Sequence, residues 1–146
     1  MRWMLLGITV ITAALWLACS GDDDKEDSAP SGTAGGAAVQ IVLDEWSIAM
    51  EGSARTGSVI FEVENKGSAI HELVILKTDL AADALPVDGG KVDEDAAELE
   101  VIGEVEEFPS GQAEVGTFEL DSGRYVLICN IPAHYQQGMY AEMAVQ

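Results

Sequence analysis

Residues 122–145 read SGRYVLICNIPAHYQQGMYAEMAV. A Ser-Gly turn leads into an apolar strand, RYVLIC, and the stretch closes on a second strand, MYAEMAV. The loop between them carries Cys129, His134 and Met139, each separated from the next by four residues. The whole chain has only two cysteines and two histidines. Three sulfur and imidazole side chains in one loop therefore ask for a chemical reason.

The strand rhythm extends upstream to Val39. VQIVLDEWSIAM supplies one or two strands, and SVIFEVEN alternates Val59, Phe61 and Val63 against Ser58, Ile60, Glu62 and Glu64. HELVILK and AEVGTFEL are two more. Asn65 to Ser68, FPSGQ and DSGR carry turn residues, with glycine where positive φ is easiest. Many short strands with hardly any helical periodicity predict an all-β sandwich or barrel over residues 39–146. A chain of 146 residues is long enough for one such domain, with a genuine core, plus extensions.

One stretch breaks the rhythm. Asp79 to Glu107 holds eleven acidic residues against Lys91 alone. It is expected to be a long connection bearing most of the negative surface, with a short helix in VDEDAAELE starting near Asp93. The alternating oxygen ligands around a glycine that a calcium loop needs are absent. Over the whole chain, 26 acidic and 7 basic residues leave a formal charge of -19. Such a charge makes nucleic acid and anionic lipid headgroups poor partners and favours basic proteins.

The first eighteen residues, MRWMLLGITVITAALWLA, hold one basic residue and then an apolar run. That run is short for a membrane span and right for the core of an export signal. Ala18-Cys19-Ser20 resembles the lipobox of bacterial lipoprotein signals, with Trp16 where leucine is usual. The resemblance implies lipidation of Cys19 and a membrane-anchored protein facing the periplasm or cell exterior. An ordinary secretory signal or an uncleaved anchor, with Cys19 incidental, would also carry the domain out of the cytoplasm. Residues 19–38, acidic and then rich in Gly, Ser and Ala, read as a flexible tether. With Cys19 lipidated, Cys129 has no disulfide partner, and a lone thiol outside the cytoplasm is exposed to oxidation unless buried or occupied.

A thiolate, an imidazole and a thioether form a soft ligand set that selects copper over hard cations. Copper in both oxidation states tolerates two imidazoles and one thiolate in a trigonal site with a long axial thioether. The loop supplies one imidazole, and the chain has only one other histidine, His71, placed after a turn where a strand begins. Taken singly, His71 reads as a strand-end histidine, Cys129 as a small core residue and Met139 as a gap filler. Taken jointly, in this order and spacing, they read as a copper site.

NKGSAIHELVIL together with the quoted stretch resembles the cupredoxins, the blue copper proteins that include plastocyanin, azurin, auracyanin and rusticyanin. The four-and-four spacing is similar to that of auracyanin, rusticyanin and the sulfocyanin-like proteins. The resemblance covers about residues 39–146 and implies a Greek-key β-sandwich holding one type 1 copper ion. It implies His71, Cys129 and His134 as equatorial ligands and Met139 as the axial one, with Met143 a less favoured substitute. Three positions depart from the familiar pattern. Glu72 stands where an Asn often follows the first histidine and braces the loop. Asn130 is expected to brace it from the other side. Ala133 stands where several relatives have glycine, so no positive φ is expected there. In cupredoxins the loop histidine reaches the surface through an apolar patch, which here would comprise Ile131, Pro132, Ala133 and Tyr135.

The function so implied is a one-electron carrier and not an enzyme, working as a monomer with a redox protein such as a basic cytochrome or a membrane oxidoreductase. Copper storage, buffering or delivery on the same fold is the alternative. Two histidines cannot also furnish the second class of copper that nitrite reductases and multicopper oxidases use, and a dinuclear centre lacks its second nearby cysteine.

Overall fold

The computed structural model describes residues 38–146. The stretch expected to be an export signal, Cys19 and all but the last residue of the expected tether lie outside the described residues. Ten strands follow in order: β1 Val39–Asp44, β2 Ser47–Glu51, β3 Gly57–Asn65, β4 His71–Lys77, β5 Val87–Asp88, β6 Lys91–Val92, β7 Glu100–Phe108, β8 Ala113–Leu120, β9 Gly123–Ile128 and β10 Tyr140–Val145. They form one sheet ordered β2-β1-β3-β8, a second ordered β10-β9-β4-β7, and a small β5-β6 hairpin. Strands β1 and β3 run parallel, and the other pairs are antiparallel. The expected all-β sandwich is what the chain builds.

Period-two alternation explains the first sheet. Val39, Ile41 and Leu43 on β1 and Val59, Phe61 and Val63 on β3 point inward, against Leu73, Ile75 and Leu127 of the second sheet. Strand β4 obeys a different rule, because it is buried on both faces. Its outer side chains, Val74 and Leu76, lie under a second apolar cluster that includes Ala82, Leu85, Val92 and Tyr135. Burial on both sides is why HELVILK reads as a continuous apolar run after its first two residues.

That second cluster corrects the expectation for the acidic stretch. Residues 79–107 are more than a connection: they cover the outer face of β4 and β9, and contribute β5, β6 and nearly all of β7. Strand β7 was hidden because bulges shift its register against β4 between His71 and Leu73 and again between Ile75 and Leu76. Its inward side chains, Ile102, Val105 and Phe108, therefore fall three residues apart instead of two. The helix expected from Asp93 does not form. Ala96 N donates to Asp93 O and Leu99 N to Ala96 O, giving successive three-residue turns. The Asp93 carboxylate accepts the Asp95 amide, a local bond that competes with helix growth.

Phe61 is fully buried in the centre of β3, with the Phe118 ring edge-on at 5.8 Å. Phe61→Ala is expected to cost about 3–5 kcal/mol in urea denaturation of the domain, because it leaves a cavity between two sheets that cannot both collapse.

Candidate metal centre

The loop after β9 is closed by its own backbone. Cys129 N donates to Met139 O at 3.1 Å, continuing the β9–β10 ladder, and Met139 N donates to His134 O at 3.2 Å. A 3-10 turn over Tyr135–Gln137 follows His134, and Gly138, at φ 105°, ends it. These bonds fix the three loop residues with respect to one another before any metal is considered.

External braces then fix the loop on the sandwich. The Asn130 side chain accepts from Val92 N at 2.7 Å, donates to Val92 O at 3.1 Å and donates to Glu94 Oε1 at 2.6 Å. The expectation that Asn130 braces the loop agrees with this geometry. Glu72 also reaches the loop, through a hydrogen bond with the Asn130 backbone. Burial raises the Glu72 carboxyl above the usual carboxylate range, with Glu107 and Glu104 adding to the rise.

Ala133 overturns its expectation, since it has φ 71°. In that conformation its N–H bonds to Gly90 O, in the β5–β6 turn, at 2.8 Å. The left-handed region costs a residue with a Cβ about 1–2 kcal/mol. The bond to Gly90 and the closed loop around Ala133 offset that cost.

His71 begins β4 and is fully buried. The turn that delivers it is organised by Asn65, which the sequence marks only as a turn residue. Asn65 Nδ2 donates to Ala69 O and Phe108 O, and its Oδ1 accepts from Gly67 N. Cys129 Sγ lies 3.3 Å from His134 Nδ1 and 3.8 Å from His71 Nδ1, and the two Nδ1 atoms are 3.3 Å apart. A point equidistant from these three atoms lies about 2.0 Å from each. First-row metal ions bind imidazole nitrogen at about 2.0–2.1 Å and thiolate sulfur at about 2.3 Å, so the triangle already has the size of a trigonal site.

Met139 is fully buried beside this triangle in sequence and by backbone contact. Met143 pairs with Tyr125, four residues back along β9 from Cys129 or about 13 Å, which removes it as a substitute ligand.

The electrostatics suit a soft cation. Burial pushes the Cys129 thiol above its ordinary range, with backbone hydrogen bonds from Glu72 and Ile131 pulling the other way. Burial first, and His71 second, hold His134 below the ordinary histidine range, which keeps the ring neutral with its lone pair free. A bound cation would take the thiolate and release its proton.

The turn between β1 and β2 supplies two residues that the sequence gives no sign of. Trp46 sets its ring edge-on to His134, with centroids 4.8 Å apart. Glu45 Oε1 lies 3.2 Å from His71 Nε2. Neither belongs to a recognisable motif, and no spacing rule links position 45 to position 71. Of the expected apolar patch, Pro132 and Ala133 are exposed and Ile131 is half-buried, but Tyr135 is not at the surface. Its hydroxyl donates to Ala82 O and accepts from Leu85 N, which draws the ring under the acidic segment.

Two packed sheets with a buried His-Cys-His-Met cluster at one end define a cupredoxin with a type 1 copper site. A family model for the sulfocyanin (SoxE) domain matches residues 53–146, and the chain belongs to that family. Auracyanin from the photosynthetic bacterium Roseiflexus castenholzii, solved in its dithionite-reduced form, is similar at 24% identity. That match covers 77% of this chain and 98% of the other, with a TM-score of 0.58. Auracyanin A, a "blue" copper protein from Chloroflexus aurantiacus, matches at 18% identity over 77% and 100% of the two chains, with a TM-score of 0.57. Rusticyanin matches at 18% identity over 75% and 76%, with a TM-score of 0.56. No curated protein is close enough in sequence to match.

Asn130→Ala is expected to cost the metal-free domain about 1–3 kcal/mol in chemical denaturation, because it strands buried partners on Val92. Copper affinity should fall about 10–100-fold, read by competition with a chromophoric chelator.

Proposed function

We propose that the protein is an exported, membrane-anchored one-electron carrier. The observation that supports the electron-carrier part of this reading is the convergence of three buried donor atoms on one point, from residues already held by backbone and side-chain bonds. Copper, when bound, supplies the one-electron chemistry. The protein keeps the donors in place, so that little has to move between oxidation states.

His134 is 8% exposed, whereas His71, Cys129 and Met139 are at 0%. It is therefore the ligand through which an electron passes to the surface. Around it lie Pro132 and Ala133, with Trp46 at 38% exposure and Ile70, next to His71, at 51%. A small apolar contact suits a short-lived encounter, since redox complexes have small interfaces. The acidic residues of 79–107 attract a basic partner, a cytochrome or a membrane oxidoreductase, to the domain. The export signal and Cys19 would hold the domain at the membrane, outside the cytoplasm. Deep burial of the ligands favours the carrier over storage or delivery, which need an exchangeable site.

The test is the visible spectrum of residues 39–146 loaded with Cu(II), beside Cys129→Ser. An intense thiolate-to-copper band, bleached by reductant and absent from the variant, is expected. A colourless protein that still binds Cu(I) would overturn the carrier reading in favour of delivery or storage. Electron exchange with a basic cytochrome is expected to slow as ionic strength rises from 0.01 M to 0.15 M, where screening shortens from about 30 Å to about 8 Å.

A further inference from the structure

The β1–β2 turn places a carboxylate on the far side of a ligand ring from the metal. Glu45 Oε1 is 3.2 Å from His71 Nε2, while His71 Nδ1 faces Cys129 and His134. We infer that Glu45 is a positioning residue of the copper centre, one that fixes the His71 tautomer and biases the site towards Cu(II). The inference rests on the copper reading of the site, not on any partner or location.

An imidazole has one N–H in its neutral form, so an acceptor at Nε2 leaves Nδ1 as the lone-pair donor. A carboxylate in that position also raises the basicity of the ring towards a metal. Its negative charge stabilises a dication more than a monocation, and its side chain is only 23% exposed, so water screens it incompletely.

The carboxylate is held for this role independently of the ring. Ser68 N donates to both of its oxygens, at 2.8 and 3.0 Å, and Ala69 N donates to Oε1 at 2.8 Å. Those three N–H···O bonds favour the ionised form of the carboxyl and fix its orientation towards the ring. The same loop leads directly into His71, so carboxylate and ring are carried by one short segment. Gly67 completes the fit: a Cβ there would stand 2.6 Å from both Glu45 Oε1 and His71 Nε2. The glycine leaves room for the contact.

A purely structural Glu45, capping the 67–69 turn and nothing more, would affect stability and leave the copper couple alone. Glu45→Gln separates the two roles, since it keeps size and an acceptor oxygen but removes the charge. The holoprotein is poised against a redox mediator, and the Cu(II):Cu(I) ratio is read from the thiolate band. Glu45→Gln is expected to move the ratio about tenfold towards Cu(I), equivalent to about 59 mV for one electron. Gly67→Ala, which drives carboxylate and ring apart, is expected to move it the same way and serves if Glu45→Gln does not fold. In the metal-free protein, nitrogen NMR is expected to find His71 protonated at Nε2 in wild type and divided between tautomers in Glu45→Gln.

An unchanged ratio in Glu45→Gln, or a shift towards Cu(II), would overturn this inference while a blue wild type left the copper site standing. A wild type that takes up no copper would overturn both.

Discussion

The metal centre hangs on the antiparallel pairing of β4 with β9. With Val74 opposite Ile128, His71 at the start of one strand and Cys129 just past the end of the other come to the same end of the sandwich. Residues 58 positions apart in the chain thereby lie 3.8 Å apart. A slip of one residue would exchange the faces of β9 and turn Cys129 away from His71. The apolar burial of β4 on both faces holds the register, so the same packing that stabilises the fold sets the ligand geometry. His134 and Met139 need no long-range information beyond this, because the loop that carries them closes on Cys129 itself.

The acidic segment serves two ends that pull in different directions. Its carboxylates keep a strong negative field on the surface, while Ala82, Leu85 and Val92 bury themselves against β4, β9 and Tyr135. Through Asn130, Ala133 and Tyr135 it also grips the ligand loop from outside. Strong surface charge and ligand rigidity are thus joined in one segment. Removing its charges and removing its backbone would be different experiments, with different losses.

The four ligands were legible because soft donors are rare in this chain and their order is informative even without neighbours. The sandwich was legible because its first sheet keeps strict alternation. Strand β7 was not, since its bulges erase the period that reveals a strand. The absent helix after Asp93 and the positive φ of Ala133 were misread for a related reason: local preference yields where tertiary hydrogen bonds have first claim on the backbone. Glu45 and Trp46 lay beyond sequence reasoning, because each acts across a turn on a residue it meets only in space, while Asn65 was legible as a turn residue but not as a partner of Phe108. Tyr135, an aromatic next to the loop histidine, looks like surface and is instead an anchor.

The directions of the first and last strands have a consequence for orientation. Strand β1 runs towards the ligands, ending beside Glu45, and β10 starts beside Met139 and runs away from them. Val39 and Val145 therefore both lie at the end of the sandwich opposite the copper site. The first and last strands thus both have their outer ends away from the face around His134. A fusion, a surface linkage or an immobilising tag at either terminus would present the redox-active end outward, which suits the domain to mounting on an electrode as readily as on a membrane.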